Sequence, residues 1–134
     1  MPRIIAGSSA GAMISAVLCS RPYDQAHELN DFDVSMPMPY LGWKTKSHYE
    51  TLCFILQGKP FLCGETMKKY VRHFTGDMTF LDIYEKHGWN LNITVTDYST
   101  QNSEARLLNY LTSPNVVVWS AVCASVAIPG VFDL

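Results

Sequence analysis

Apolar positions along the chain come in short blocks whose spacing separates strands from helices. Arg3-Ile4-Ile5-Ala6 is a brief apolar run that stops at Gly7 and predicts a buried strand. Ala10 to Ser20 follows at once. Its Ala12, Met13, Ile14, Ala16, Val17 and Leu18 are spread almost all round a helix, which predicts burial on most sides and small residues that let it lie close to a sheet. Arg21-Pro22 closes it, because proline disfavours helical geometry in the residue before it. His48 to Gln57 and Glu65 to Phe74 are predicted as helices, separated by Gly58-Lys59-Pro60. The second sets Met67, Tyr70 and Val71 against Lys68, Lys69 and Arg72, as an amphipathic surface helix does. A further helix, Thr79 to His87, begins after Gly76-Asp77 and has Gly88 as its C-terminal stop. Trp89, Leu91, Ile93 and Val95 alternate with polar residues, the period of a strand. Asp97 to Ser103 reads as a polar turn and Ala105 to Leu111 as another strand. After the break at Pro114-Asn115, Val116 to Ile128 reads as a buried helix ending at Pro129.

The order of these elements is that of an α/β protein, and a strand feeding directly into a helix suggests a parallel sheet with helices packed on it. No internal repeat interrupts the pattern. Pro22 to Lys46 is irregular, mildly acidic through Asp24, Glu28, Asp31 and Asp33, and stiffened by Pro37 and Pro39. It reads as a long surface connection with a helical turn near Asp24 to Leu29. Connections of this length often serve as lids or binding loops. Its Met36, Met38, Tyr40, Leu41 and Trp43 suit packing onto the core as well as a binding role.

With 134 residues the chain fits one domain or a piece of one, and its 48% hydrophobic and 16% charged content argues for a packed core. The formal net charge of −2 comes without a basic stripe, which argues against nucleic acid as a partner. Two segments imitate membrane signals. Met1 to Ser20 looks like a signal peptide, but glycines and serines interrupt it; Val116 to Phe132 is uncharged, but short and broken by Pro129-Gly130. Both read as buried elements of a core. Cys19, Cys53, Cys63 and Cys123 each lie in or beside an apolar stretch and form no C-x-x-C pair. Buried free thiols are favoured over two disulfides, and no metal-ligand spacing is present.

Candidate chemistry centres on Gly7-Ser8-Ser9-Ala10-Gly11, which fits G-x-S-x-G. In that pattern a serine sits on a sharp strand-to-helix turn, and glycines are needed where a Cβ would collide. The turn pushes the Ser9 hydroxyl outward at the N-terminus of the following helix, whose free N–H groups favour developing negative charge. The Ala10 N–H is the natural oxyanion donor. A small-residue turn that merely lets a helix pack on a strand explains the same five residues. The flanking strand and helix favour the nucleophile.

A serine nucleophile needs a base. A conventional Ser-Asp-His triad is one candidate, with the histidine last in the chain. His27, His48, His73 and His87 all follow Ser9, but His87 stands too close behind Asp82 for the separate loops of a triad. Asp77 and Asp82 flank a helix start and read as capping or solvated residues, while Asp97 ends a strand where a site can form. Asp133 completes the set, and spacing selects none of them.

Beyond the elbow, the chain resembles the patatin-like phospholipase domains, in particular the triacylglycerol-lipase branch of fungal lipid-droplet and plant seed-oil lipases. The likeness begins at Ile4-Ile5-Ala6-Gly7-Ser8-Ser9-Ala10-Gly11-Ala12. It continues through Gly76-Asp77-Met78-Thr79-Phe80-Leu81-Asp82-Ile83-Tyr84, Leu91-Asn92-Ile93-Thr94-Val95 and Leu107 to Val116. It ends with Trp119-Ser120-Ala121-Val122 and Ala124 to Phe132, all in the same order. The resemblance implies a patatin-like α/β fold, a mostly parallel sheet flanked by helices. It implies a Ser-Asp dyad with Ser9 as nucleophile, Gly7, Ala10 and Gly11 as elbow and oxyanion residues, and no metal or organic cofactor. A lipid ester, triacylglycerol before phospholipid, is the implied substrate, acted on at a lipid-droplet or endoplasmic reticulum membrane surface. Members carry a Gly-rich oxyanion segment before the elbow and an Asp-Gly after the Ala-Ser-x-Ala-x-Pro segment. This sequence has neither, so no aspartate is carried over, and residues 1–134 are expected to be a partial domain, inactive alone. A catalytically dead lipid-binding or partner-binding domain is the other expectation.

Overall fold

The computed structural model describes residues 3–25, 47–57, 64–97 and 101–127. The helical turn expected near Asp24 to Leu29 falls mostly outside them. So do the apolar loop residues Met36 to Trp43, His27, Cys63 and Asp133. Strand β1 (Ile4–Ser8) runs straight into helix α1 (Ala10–Cys19). Helices α2 (His48–Leu56), α3 (Gly64–Thr75) and the short α4 (Phe80–Asp82) follow. A π-helical turn, Ile83–His87, leads from α4 to β2 (Asn90–Asp97); then come β3 (Glu104–Leu108) and α5 (Val118–Val126). The sheet order is β1-β2-β3, with β1 and β2 parallel and β2 and β3 antiparallel. The α/β architecture, sheet flanked by helices, is the one the sequence predicts.

Ile5 and Gly7 of β1 lie beside Leu91 and Ile93 of β2, on the face that α1 and α5 cover. Helix α3 packs against both of those helices. The buried core gathers Ala12, Met13 and Ala16 from α1, Met67 and Val71 from α3, Leu91 and Ile93 from β2, and Val118, Val122 and Val126 from α5. Trp89, just before β2, is fully buried; its indole N–H donates to the Arg21 carbonyl at 2.9 Å, and its ring meets Tyr23 edge-on. Cys19 and Cys123 are buried free thiols, and burial pushes the Cys19 thiol up to about 12. No helix among the described residues is long and apolar enough to cross a membrane.

Element ends differ from the sequence reading where side chains or distant backbone intervene. Strand β1 extends through Gly7 and Ser8, because both pair with β2, opposite Ile93 and Thr94. Strand β3 stops at Leu108, since the Asn109 carboxamide oxygen accepts from the Leu111 and Thr112 N–H groups and turns the chain. Val116 lies in a bend and Val117 is extended rather than helical; the Val116 carbonyl accepts from Phe80 N–H, and Val118 N–H donates to the Met78 carbonyl. The helix expected at Thr79 to His87 begins with a reciprocal cap, in which Asp82 N–H donates to the Thr79 hydroxyl and Thr79 N–H to the Asp82 carboxylate. That cap holds the Asp82 carboxyl below the usual range. Asp77 does not cap; it is exposed and binds Arg72 through both carboxylate oxygens at 3.0 Å, while Trp119 donates to it at 3.2 Å.

One buried polar side chain ties the sheet together. The Asn92 amide donates to the Ile5 carbonyl and to Asn90, and its oxygen accepts from the Asn109 amide at 2.9 Å. It therefore joins β1, β2 and the turn after β3 on the face away from α1. Asn92→Ala is expected to destabilise the fold by about 1–3 kcal/mol in urea unfolding, because half-buried partners on two elements lose their hydrogen bonds together.

Candidate active site

The site is built where β1 meets α1. A Cβ placed on Gly7 would stand 2.4 Å from the Gly11 carbonyl carbon and 2.7 Å from the Ala12 nitrogen. Only glycine allows the strand end to pass this close to the helix start. At Gly11 itself a Cβ would meet nothing within 4 Å, so the expectation that both glycines are sterically required holds at Gly7 alone.

Between them Ser9 has φ 52° and ψ −119°, a conformation that L-residues rarely adopt. A strained backbone of this kind costs on the order of 1–3 kcal/mol and persists only where its surroundings enforce it. Three contacts do so. The Ser9 carbonyl accepts from Ala12 N–H at 3.0 Å and Met13 N–H at 3.3 Å, which starts the helix. Gly7 permits the close turn. The Ser9 N–H donates to the Ser125 hydroxyl of α5 at 2.8 Å, and that hydroxyl donates to the Thr94 carbonyl of β2 at 2.7 Å. Ser9 lies at the N-cap of α1 but makes no side-chain cap bond, so its hydroxyl is not spent on the helix. Among the described residues nothing accepts from the Ala10 and Gly11 N–H groups, as at any helix start, and both lie beside Ser9.

Among the described residues no carboxylate or imidazole is hydrogen-bonded to the Ser9 hydroxyl. His87 is tied to the far end of α1, where its Nδ1–H donates to the Cys19 carbonyl at 3.0 Å; at 1.5 Å per residue that lies about 15 Å from the elbow. His48 and His73 are exposed on α2 and α3. Asp97 closes β2 with its carboxylate 3.8 Å from Arg106 of β3, and Asp77 and Asp82 are engaged as described above. The structure thus assembles the elbow, while among the described residues none of the candidate histidines or aspartates bonds to Ser9. Ser125 was legible only as a member of a motif. A serine in the otherwise apolar run of α5 was the available signal, since a part-buried hydroxyl needs partners.

An α/β protein with a strained serine between a parallel strand and a helix has the geometry of a nucleophile elbow. The family model for patatin-like phospholipases matches residues 1–134, and the chain belongs to that family. Triacylglycerol lipase 5 of Saccharomyces cerevisiae is 36% identical over 137 residues, covering 98% of this chain and 18% of that protein. Triacylglycerol lipase 4 of the same yeast is 34% identical over 142 residues, covering 98% of the chain and 15% of that protein. Triacylglycerol lipase ptl2 of Schizosaccharomyces pombe is 33% identical over 141 residues, covering 99% of the chain and 21% of that protein. The chain therefore spans about a fifth of the length of these curated relatives. Among solved structures, a crystal structure of full-length SpcU in complex with full-length ExoU from the type III secretion system of Pseudomonas aeruginosa shares the fold. Its TM-score is 0.55 at 18% identity, over 95% of this chain and 32% of the other.

The two glycines make opposite predictions. Gly7→Ala is expected to cost about 3 kcal/mol or more, because the clash is with backbone that cannot yield. Gly11→Ala is expected to change stability by less than about 1 kcal/mol. Thermal unfolding of the two variants side by side checks the difference, and equal losses would contradict the geometry.

Proposed function

We propose that this chain carries the nucleophile half of a lipid acyl-ester hydrolase, with triacylglycerol as its substrate class. The observation that carries the reading is Ser9, held in a strained turn at a helix start with its hydroxyl unspent and the Ala10 N–H beside it. The names of the fungal relatives support triacylglycerol over phospholipid.

In this mechanism the Ser9 oxygen attacks the ester carbonyl carbon while a carboxylate takes the hydroxyl proton. The carbonyl oxygen becomes an oxyanion stabilised by the Ala10 N–H and the start of α1. Collapse of the tetrahedral intermediate breaks the ester bond, and the carboxylic acid returns its proton to the leaving glyceride oxygen. Water then attacks the acyl-serine and gives a proton to the carboxylate, which returns it to the Ser9 oxygen as the acyl bond breaks and the fatty acid leaves. The base in this reading is an aspartate of an Asp-Gly segment, a dipeptide that does not occur in these 134 residues. The reaction takes place at a lipid-droplet or membrane surface, where such substrates reside.

Labelling with a fluorophosphonate ester, which traps activated serines, tests the proposal. The chain extended through its flanking coding sequence is expected to label at Ser9, with labelling abolished in Ser9→Ala and little or none in the 134-residue chain. Labelling of the 134 residues alone would mean that a carboxylate within them is the base. No labelling of either folded chain would favour a binding domain without catalysis.

A further inference from the structure

Ser125 occupies a position that the chemistry above does not use. It lies near the end of α5, far from Ser9 in sequence, and its hydroxyl is placed between two backbone groups. It accepts from the Ser9 N–H at 2.8 Å and donates to the Thr94 carbonyl at 2.7 Å. Thr94 is the residue of β2 that lies opposite Ser8, directly before the nucleophile. One hydroxyl therefore bridges the middle of β2 to the strained residue itself.

We propose that Ser125 is the positioning residue of the nucleophile, a side-chain clamp that holds the Ser9 backbone in its strained turn and so aims its hydroxyl; this rests on Ser9 being the nucleophile. The other restraints on Ser9 come from its own neighbourhood. Gly7 makes room for the turn, and the Ala12 and Met13 N–H groups hold the Ser9 carbonyl as they would at any helix start. Neither fixes the peptide that enters Ser9. The Ser125 bond does, and it takes its own position from β2, so the elbow is referenced to the sheet as well as to the helix.

The bond also sorts the amides of the turn. With its N–H committed to Ser125, Ser9 has no donor to offer an oxyanion. Ala10 and Gly11 keep theirs, since nothing among the described residues accepts from them. Ser125 thereby sets which N–H groups face the reacting carbonyl. Loss of its hydroxyl leaves the Ser9 N–H and the Thr94 carbonyl without their partner and lets the peptide before Ser9 rotate toward an unstrained conformation.

The test compares Ser125→Ala and Ser125→Thr with the unsubstituted protein in the full-length chain, using fluorophosphonate labelling rates at Ser9 and thermal unfolding. The expected result is labelling by Ser125→Ala slowed about ten- to hundredfold, the scale of a misplaced reacting group. Ser125→Thr, which keeps the hydroxyl, recovers most of the rate. Hydrogen exchange of the Ser9 amide is expected to quicken in Ser125→Ala and to slow again in Ser125→Thr. If folded Ser125→Ala labels at the unsubstituted rate, the clamp is overturned while Ser9 stands as nucleophile. If the unsubstituted protein does not label, the proposed function fails first and the positioning role falls with it. Should Ser125→Ala not fold, Ser125→Cys replaces it with a side chain of similar size and weaker hydrogen bonding, and unchanged labelling there overturns the proposal equally.

Discussion

Gly7 passes the first turn of α1 so closely that a methyl group in its place would lie 2.4 Å from the Gly11 carbonyl carbon. That closeness leaves the chain one residue, Ser9, in which to reverse from strand to helix, and Ser9 takes a positive φ to do it. The tight junction sets α1 against the sheet, and α1 in turn supplies the surface on which α3 and α5 pack. The apolar core thus lies against a junction made by two stretches of backbone.

The rest of the structure braces that junction from two sides. On the helical face, Met67 and Val71 of α3 and Val118, Val122 and Val126 of α5 fill the space against α1 and β2. On the other face, Asn92 binds Ile5 of β1 and Asn109 beyond β3, so the strand that ends in the elbow is held in register by a satisfied polar network. Strain at one serine is tolerable because packing, the sheet and the start of the helix all oppose its relaxation.

The strained turn also decides what the Ser9 hydroxyl is left to do. A serine in an ordinary cap would spend its hydroxyl on the helix, as Thr79 does when it accepts from Asp82 N–H. Ser9 does not, although its carbonyl, like that of Thr79, accepts the first helical bonds. Membership of the patatin-like phospholipase family fits this arrangement.

Elements with strong local periodicity were legible in the sequence. The apolar run of α1, the alternation of β2, the amphipathic α3 and the stop at Gly88 follow from spacing and backbone preferences that act over a few residues. Ser9 was legible too, since G-x-S-x-G between a strand and a helix is a local pattern. Other features rest on residues far apart in the chain, and no local pattern encodes them. The non-helical Val116 and Val117 depend on Met78 and Phe80, and the burial of Asn92 depends on Asn109. Local spacing also did not reveal that Gly7 alone lacks room for a side chain, or that Ser125 accepts from the Ser9 N–H. The sequence by itself determined which segments form strands and helices and which serine stands at the turn, because those depend on neighbours along the chain. Only the tertiary structure decided what holds that serine in its strained conformation, because α5 and β2 reach it through space across more than a hundred residues of separation in the case of Ser125.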